Sequence, residues 1–477
     1  MNTSEKLSLR TKIGFGLGDI YGGGAGTIVS FYYLYFLTDI IRINPALAGT
    51  AFLISKLYDA VTDPFEGVIT DRTRTPLGRR RPYLLAGILL VFLSFFLMWY
   101  PAAYESETAR FVYVIATYLF YSTVISIVMT AYNALASELT LDYHERTSVS
   151  SIRIFFSSVA SILAAVLPLE IVKMAPDPRT GYIWMGIAFG LLFALPFLAT
   201  FFATRERPEF QRPLEPFSLR ATFIEPFRVK TFIYVLLMYI LAFVAMDAVS
   251  SIVIYFMKYY LGRGDEANFV SGALLIAQLA SLPFYVRLSR RTSKRTGYLT
   301  GAVIWVATML FSFLITPGAP AWFIYVFAVM VGLGTGGIVV MIYAMFPDIP
   351  DVDELQTGER REGTYSAIVT FSRKFSSAVA LFLISNALAI TGYRAPIEVA
   401  GAVVEQVQTP EFINALRMIF AFTPILLVGL GVLVAWRYPL SAQRHARLNR
   451  VLAVRRTGEE MSEEMKREAE VLKAELI

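Results

Sequence analysis

Apolar residues run through this chain in stretches of about 20, the length of helix that crosses a hydrocarbon layer, and polar residues collect between them. Twelve stretches can be placed, at 12–38, 46–70, 82–103, 109–134, 149–173, 181–203, 231–258, 267–288, 297–315, 320–346, 363–391 and 411–437. The pattern predicts an all-α membrane protein of twelve transmembrane helices. The second stretch breaks the pattern. At 100° per residue, Lys56, Asp59, Asp63 and Glu66 share one face about 80° wide, with Asp59 and Asp63 a single turn apart. A charge at mid-bilayer costs about 2.5–3.5 kcal/mol even on the most lenient scale, so two acids on one stripe require partners, water or a bound cation. Asp63 also precedes Arg72 by about two and a half turns, which places it well inside the span. Two close carboxylates resist simultaneous ionisation unless a cation bridges them. The stripe therefore reads as the coupling site of a transporter, holding sodium between hard oxygens or a proton on a raised pKa. The competing reading is a structural ion pair, Lys56 with Asp59 at i,i+3, which leaves Asp63 to explain.

The connections alternate in charge. Arg72, Arg74, Arg79, Arg80 and Arg81 fill the second loop and Arg287, Arg290, Arg291, Lys294 and Arg295 the eighth, whereas 104–108 and 316–319 carry no Lys or Arg. The positive-inside rule then puts both termini in the cytoplasm, as an even number of spans requires. The shift that superposes Pro64-Phe65 on Pro283-Phe284 also superposes Arg72-Thr73 on Arg291-Thr292 and Phe156-Ser157-Ser158 on Phe375-Ser376-Ser377. This pattern predicts two pseudo-symmetric six-helix bundles in the same orientation, the parallel repeat of the major facilitator architecture. The division expected is 1–203 for the N-terminal bundle with the cation site, 204–230 for a cytoplasmic inter-bundle loop, 231–437 for the C-terminal bundle and 438–477 for a cytoplasmic tail. Where the first copy has Asp63 the second has Leu282, so cation chemistry belongs to the N-terminal half.

Composition changes this picture little. Of 477 residues, 56% are hydrophobic and 17% charged, too apolar for a soluble chain of this length. Lys6, Arg10 and Lys12 precede the first stretch, but that stretch is long, contains Asp19 and lacks a small-residue cleavage site, so it reads as a span rather than a signal peptide. There is no cysteine, which removes disulfides and thiolate metal sites, and His144 and His445 lie outside the spans. The net charge of +6 follows from basic loops on one membrane face and calls for no nucleic acid. The tail opens basic (Arg444, Arg447, Arg450, Arg455, Arg456) and ends acidic; it reads as a solvated helix with its arginines near anionic lipid.

Further polar residues lie within the apolar stretches. Asp19 sits among Gly14, Gly16, Gly18, Gly22, Gly23, Gly24 and Gly26, where a carboxylate can accept hydrogen bonds from ligand hydroxyls or pair with a cation, unless it is a solvated helix end. Arg153 opens the fifth span, where it contacts cargo or snorkels to the surface. Lys374 is the deepest basic residue, and Asp247 in the seventh span reads as a gate residue or a charge partner. Nothing matches a phosphate-binding loop, and no nucleophile–base–orienter set appears, so neither an ATP-driven pump nor an enzyme is expected.

At these residues the chain resembles a known family. Tyr58-Asp59-Ala60-Val61-Thr62-Asp63-Pro64, then Gly78-Arg79-Arg80-Arg81-Pro82, then Asn133-Ala134-Leu135-Ala136-Ser137-Glu138-Leu139-Thr140 with Glu145-Arg146-Thr147, and finally the run from Asp348-Ile349-Pro350-Asp351-Val352-Asp353-Glu354 to Arg361-Glu362-Gly363 resemble the glycoside-pentoside-hexuronide:cation symporters. This is the melibiose-permease-like branch of the major facilitator superfamily, and the likeness extends to about residue 437. It implies that Asp59 and Asp63 are the cation-site acids and the metal ligands if sodium is the coupling ion. It also implies that Asp19 contacts sugar, and that Arg153 and Lys374 are the fifth- and eleventh-helix basic residues, with Lys56 in place of another. Two departures matter: the position of a third acid falls near Met129-Thr130, which favours a proton over sodium, and the sugar-packing tryptophans are replaced by Asn133 and a residue near Val339, which weakens the case for melibiose.

The function expected is cation-coupled symport of a sugar or glycoside by alternating access, with no cofactor beyond H+ or Na+ as coupling ion. Two bundles would rock about a cavity lined by Asp19, Asp59, Asp63 and Lys374. Arg72, Arg79, Arg80 and Arg81 would meet Asp351, Asp353 and Glu354 in a cytoplasmic latch. Lysophospholipid carriers of animals, which share the paired acids and the eleventh-helix lysine, supply an alternative cargo. A transporter-fold sensor without transport is the alternative from another class, against which the intact Asp59, Asp63 and Lys374 argue. A bacterial inner membrane, a monomer, lipid neighbours and a small-molecule substrate complete the expectation.

Overall fold

The computed structural model describes residues 6–140, 142–206, 224–359, 361–399, 402–457 and 461–477. Most of the inter-bundle loop falls on 207–223, outside the described residues, as does the side chain of His144. Every predicted span is helical. Among the described residues ten helical stretches are long and apolar enough to cross a membrane; the other two predicted spans, 12–38 and 46–70, are helical too, the first less apolar for its glycines and tyrosines and the second for Lys56, Asp59, Asp63 and Glu66.

The first span is segmented. Helix α1 (Leu9–Leu17) stops at Gly18, α2 (Asp19–Ile28) restarts at once, and two π-helical turns follow, Val29–Tyr33 and Phe36–Ile40. The second is α3 (Pro45–Arg72), whose Asn44 cap accepts from Ala46 N at 2.9 Å and whose first position is proline, a helix start written in the sequence. Then come α4 (Arg81–Trp99), α5 (Glu107–Leu139), α6 (Tyr143–Lys173), and α7 (Pro178–Ala194) with α8 (Pro196–Ala203), a single predicted span interrupted before Pro196. The later chain gives α9 (Lys230–Tyr255), which ends in the π turn Phe256–Tyr260, then α10 (Ala267–Arg291), α11 (Lys294–Phe311) and α12 (Ala321–Met345). A short helix α13 (Ile349–Thr357), then α14 (Glu362–Ile390) and α15 (Pro410–Trp436) complete the spans. The spans are all helical, as expected, and a short pair of strands, Ile397–Val399 and Ala402–Val404, pairs antiparallel in the connection before α15, with Ile397 opposite Val404.

The described residues belong to two compact units. The first takes Met1–Glu215, Ser250–Gly272 and Leu381–Leu416, the second Pro216–Val249, Ala273–Ala380 and Arg417–Ile477. These units do not follow consecutive halves of the chain, because the end of α9 and the connection after α14 are tied by side chains to the first span. Within the second unit α11 and α12 pack closely. A Cβ on Gly301 would lie 2.6 Å from the carbonyl oxygen of Gly334, so small residues set this approach, as is usual where lipid gives no hydrophobic drive between helices.

The tail departs from the solvated helix expected. Helices α16 (Ala442–Thr457) and α17 (Glu463–Leu476) bury Leu448, Val451, Leu452, Leu472 and Leu476 within the second unit. Leu448, Val451 and Leu452 stand at i, i+3, i+4, a stripe that a helix can bury on one side. Two of the tail's arginines meet protein: Arg456 pairs with Glu354 and, at 3.3 Å, with Asp351, and Arg455 donates to the carbonyls of Glu354 and Leu355 at 3.1 Å, capping the end of α13. His445 lies 3.5 Å from Asp351 and 3.9 Å from Asp348. The hydrogen bond to Asp351 is the largest influence, opposed by burial, and holds His445 above the ordinary imidazole range. A raised folded pKa adds stability that is complete below the unfolded value and is lost as pH rises through the folded one. Protection of the 448–452 amides against hydrogen exchange, corrected for the intrinsic rate, is therefore expected to be greater at about pH 5 than at about pH 9, and His445→Gln should flatten that dependence. Equal protection at both pH values in the parent protein would remove His445 from the tail's anchorage.

Candidate functional site

Helices α3 and α5 run side by side in the first unit, and α5 presents hydroxyls at the same i,i+4 spacing as the acids of α3. Ser122 Oγ lies 2.7 and 2.8 Å from the two oxygens of Asp59, and Ser126 Oγ donates to Asp63 Oδ1 at 2.5 Å. A bond of 3.0 Å between Tyr58 OH and Thr123 Oγ1 holds the same register. The acid stripe thus meets a hydroxyl ladder. Asp59 is 3% exposed and Asp63 half-buried. Glu66, on the same face, is buried as well.

The ion pair of the competing reading is formed: Lys56 Nζ donates to Asp59 Oδ2 at 2.6 Å and reaches Ser122 Oγ at 3.3 Å. A buried pair of this kind has offset its desolvation only while both partners remain. Asp59 is thus paired with a resident ammonium, and Asp63 is held by the Ser126 hydroxyl.

Asp19 is not a solvated helix end. It is buried, and Arg153 Nε stands 3.0 Å from its Oδ2, so two residues expected to contact cargo separately form one pair. Arg153 turns inward over the ring of Tyr132 at 5.4 Å rather than snorkelling out. Glycine makes this possible: a Cβ on Gly23 would lie 2.3 Å from the carbonyl oxygen of Ser157, so only glycine admits this approach of α2 to α6.

In the second unit Asp247 takes the charge-partner role. Arg373 donates to it in bidentate fashion, Nη1 to Oδ2 at 2.6 Å and Nη2 to Oδ1 at 3.0 Å, with its guanidinium over Phe243 at 4.7 Å. Sequence reasoning singles out Lys374 and misses Arg373 beside it; Lys374 is half-buried on the same helix. Bidentate arginine–carboxylate pairs are among the strongest polar contacts available.

The basic loop is organised by two acids of its own unit. Glu206 accepts the backbone N–H groups of Arg79 at 2.6 Å, Arg80 at 2.6 Å and Arg81 at 2.8 Å, a nest that follows the left-handed turn at Gly78, where φ is +109°. Glu138 lies 3.8 Å from Arg79 and 3.5 Å from Arg80, and Arg81 donates to the carbonyl of Phe201 at 3.0 Å. Arg72 is exposed. Of the acids predicted to meet this loop, Asp351 and Glu354 pair with Arg456, and Asp353 forms a bidentate pair with Arg361 at 2.8 Å on both sides.

The membrane-spanning helices thus carry paired, buried charges together with hydroxyls aimed at acids. Residues 14–442 match the family model described as MFS/sugar transport protein, and the chain belongs to that family. The putative glycoside/cation symporter YagG of Escherichia coli K12 is 27% identical, across 95% of this chain and 97% of its own. The sodium-dependent lysophosphatidylcholine symporter 1-A of Danio rerio is 22% identical across 98% and 92%. Among solved structures, a bacterial homologue of the iron transporter ferroportin, in an inward-facing state, superposes with a TM-score of 0.63 over 90% of this chain and 99% of its own at 16% identity, which establishes the major facilitator fold.

Proposed function

We propose that the protein couples uptake of a sugar or glycoside to a cation, with Asp63 as the coupling carboxylate and alternating access as the transport cycle. The observation that carries the reading is the ladder of Asp59 and Asp63 against Ser122 and Ser126, acids in a membrane helix held by hydroxyls that can accept as well as donate. Binding a cation there removes a charge that is costly at low dielectric and so eases reorientation of the loaded carrier. A proton is favoured over sodium. The Lys56 ammonium already supplies a positive charge to Asp59, and Asp63 can take a proton while keeping its bond to Ser126. Asp19 with Arg153, and Lys374, are the proposed cargo contacts. In proteoliposomes at fixed pH, uptake is expected to change little when sodium is replaced by choline; an absolute sodium requirement would overturn the proton assignment.

The similarity to a lysophosphatidylcholine symporter over nearly the whole chain supports a second reading, in which the cargo is a lysophospholipid. A panel of labelled glycosides and lysophosphatidylcholine separates the two. Uptake of the lipid with no uptake of any glycoside would replace the sugar reading.

A further inference from the structure

One buried carboxylate gathers partners from three distant segments and belongs to none of the sites above. Asp39, 3% exposed in the π turn that ends the first span, accepts Thr38 Oγ1 at 2.7 Å, Tyr259 OH at 2.6 Å and Tyr393 OH at 2.7 Å. Lys258 Nζ stands 3.5 Å from the same carboxylate and is itself held by Tyr35 OH at 2.8 Å and Glu405 at 2.8 Å. Around them, Thr38 Oγ1 and Tyr255 OH are 2.6 Å apart, and the hydroxyls of Tyr259 and Tyr393 are 3.2 Å apart. The partners come from the end of the first span, from the π turn Phe256–Tyr260 that closes α9, and from the connection that follows α14. All lie in the first compact unit, at the end of its helices away from the Arg79–Arg81 loop.

A buried carboxylate is stable only while its donors are in place, and here they converge only when all three segments meet. Hydroxyl donors hold the acid without the deep well of a tight ion pair: the ammonium of Lys56 stands 2.6 Å from Asp59, whereas that of Lys258 stands 3.5 Å from Asp39. Water can substitute for each hydroxyl once the segments part, so the closed and open arrangements differ by little, as a gate that cycles requires. Two of the three segments carry π turns, an irregularity found where helices change conformation or bind.

We propose that Asp39 is the latch of the gate on the side away from the basic loop: its bonds to Tyr259 and Tyr393 close that side, and their release opens it. The proposal rests on the alternating-access reading and on no choice of cargo or ion. The chain contains no cysteine, so Ser251→Cys, about one turn inside Tyr255 on α9 and fully buried, supplies a single thiol. A membrane-impermeant maleimide applied from the gate side should label that thiol slowly in the Ser251→Cys protein and about tenfold faster when Asp39→Asn is added. Tyr393→Phe and Tyr259→Phe, which each delete one hydroxyl and keep the ring, should give smaller increases and stand in if Asp39→Asn does not fold. Unchanged labelling in all of these variants, in protein that still exchanges cargo, overturns the latch alone. A parent protein, without the cysteine, that transports nothing in any mode overturns the alternating-access reading, and the latch with it.

Discussion

Asp63→Asn is expected to abolish accumulation of cargo against its gradient while leaving exchange intact. Each elementary charge moved through 100 mV supplies about 2.3 kcal/mol, and each 1.4 kcal/mol is a factor of ten, so one coupled proton sustains roughly fifty-fold accumulation at that potential. Asparagine keeps the shape of the side chain and a bond to Ser126, and it binds no proton, so the accumulation ratio should fall to about one. Exchange of internal for external cargo needs no net movement of the cation and should persist. Uphill uptake and counterflow, measured on the same vesicles, separate the two. Undiminished accumulation by Asp63→Asn would remove Asp63 from the coupling site.

The second large effect is expected at Lys56 and Asp59. Removing either partner of a buried pair leaves an uncompensated charge, which costs about 3–5 kcal/mol, whereas removing both leaves none. Lys56→Ala and Asp59→Asn should each lower transport or the yield of folded protein by more than about tenfold, and the double substitution should recover much of the loss, a coupling of about 0.5–3 kcal/mol. A double variant as impaired as Asp59→Asn alone would mean that Asp59 has a coupling role which its lysine does not explain.

Much of this is legible in the sequence because it is local. The length of an apolar run sets a span, the 100° step places Lys56, Asp59, Asp63 and Glu66 on one face, and Asn44-Pro45 marks a helix start; none of these needs knowledge of what packs where. The partners of those residues are not legible for the complementary reason. Ser122 and Ser126 repeat the spacing of the two acids, but serines at i,i+4 are common, and only the adjacency of α3 and α5 gives them meaning. Arg373 and Lys374 are neighbours whose side chains point about 100° apart, so packing against α9 decides which of them meets Asp247. Asp39 lies one residue beyond a predicted span, and its partners are spread from Thr38 to Tyr393. The tail is misread when its charges are weighed more heavily than the stripe of Leu448, Val451 and Leu452. Those charges prove to be the means of docking, since Arg455 and Arg456 bind α13.

That Asp63 couples cargo to a cation is best tested by uptake into proteoliposomes of whichever cargo the panel identifies, with an inward proton gradient and an inward sodium gradient imposed separately. Transient accumulation above equilibrium is expected under the proton gradient, none under sodium alone, and none under either gradient in Asp63→Asn. Equilibration without accumulation in the parent protein under both gradients would contradict a coupling role for Asp63.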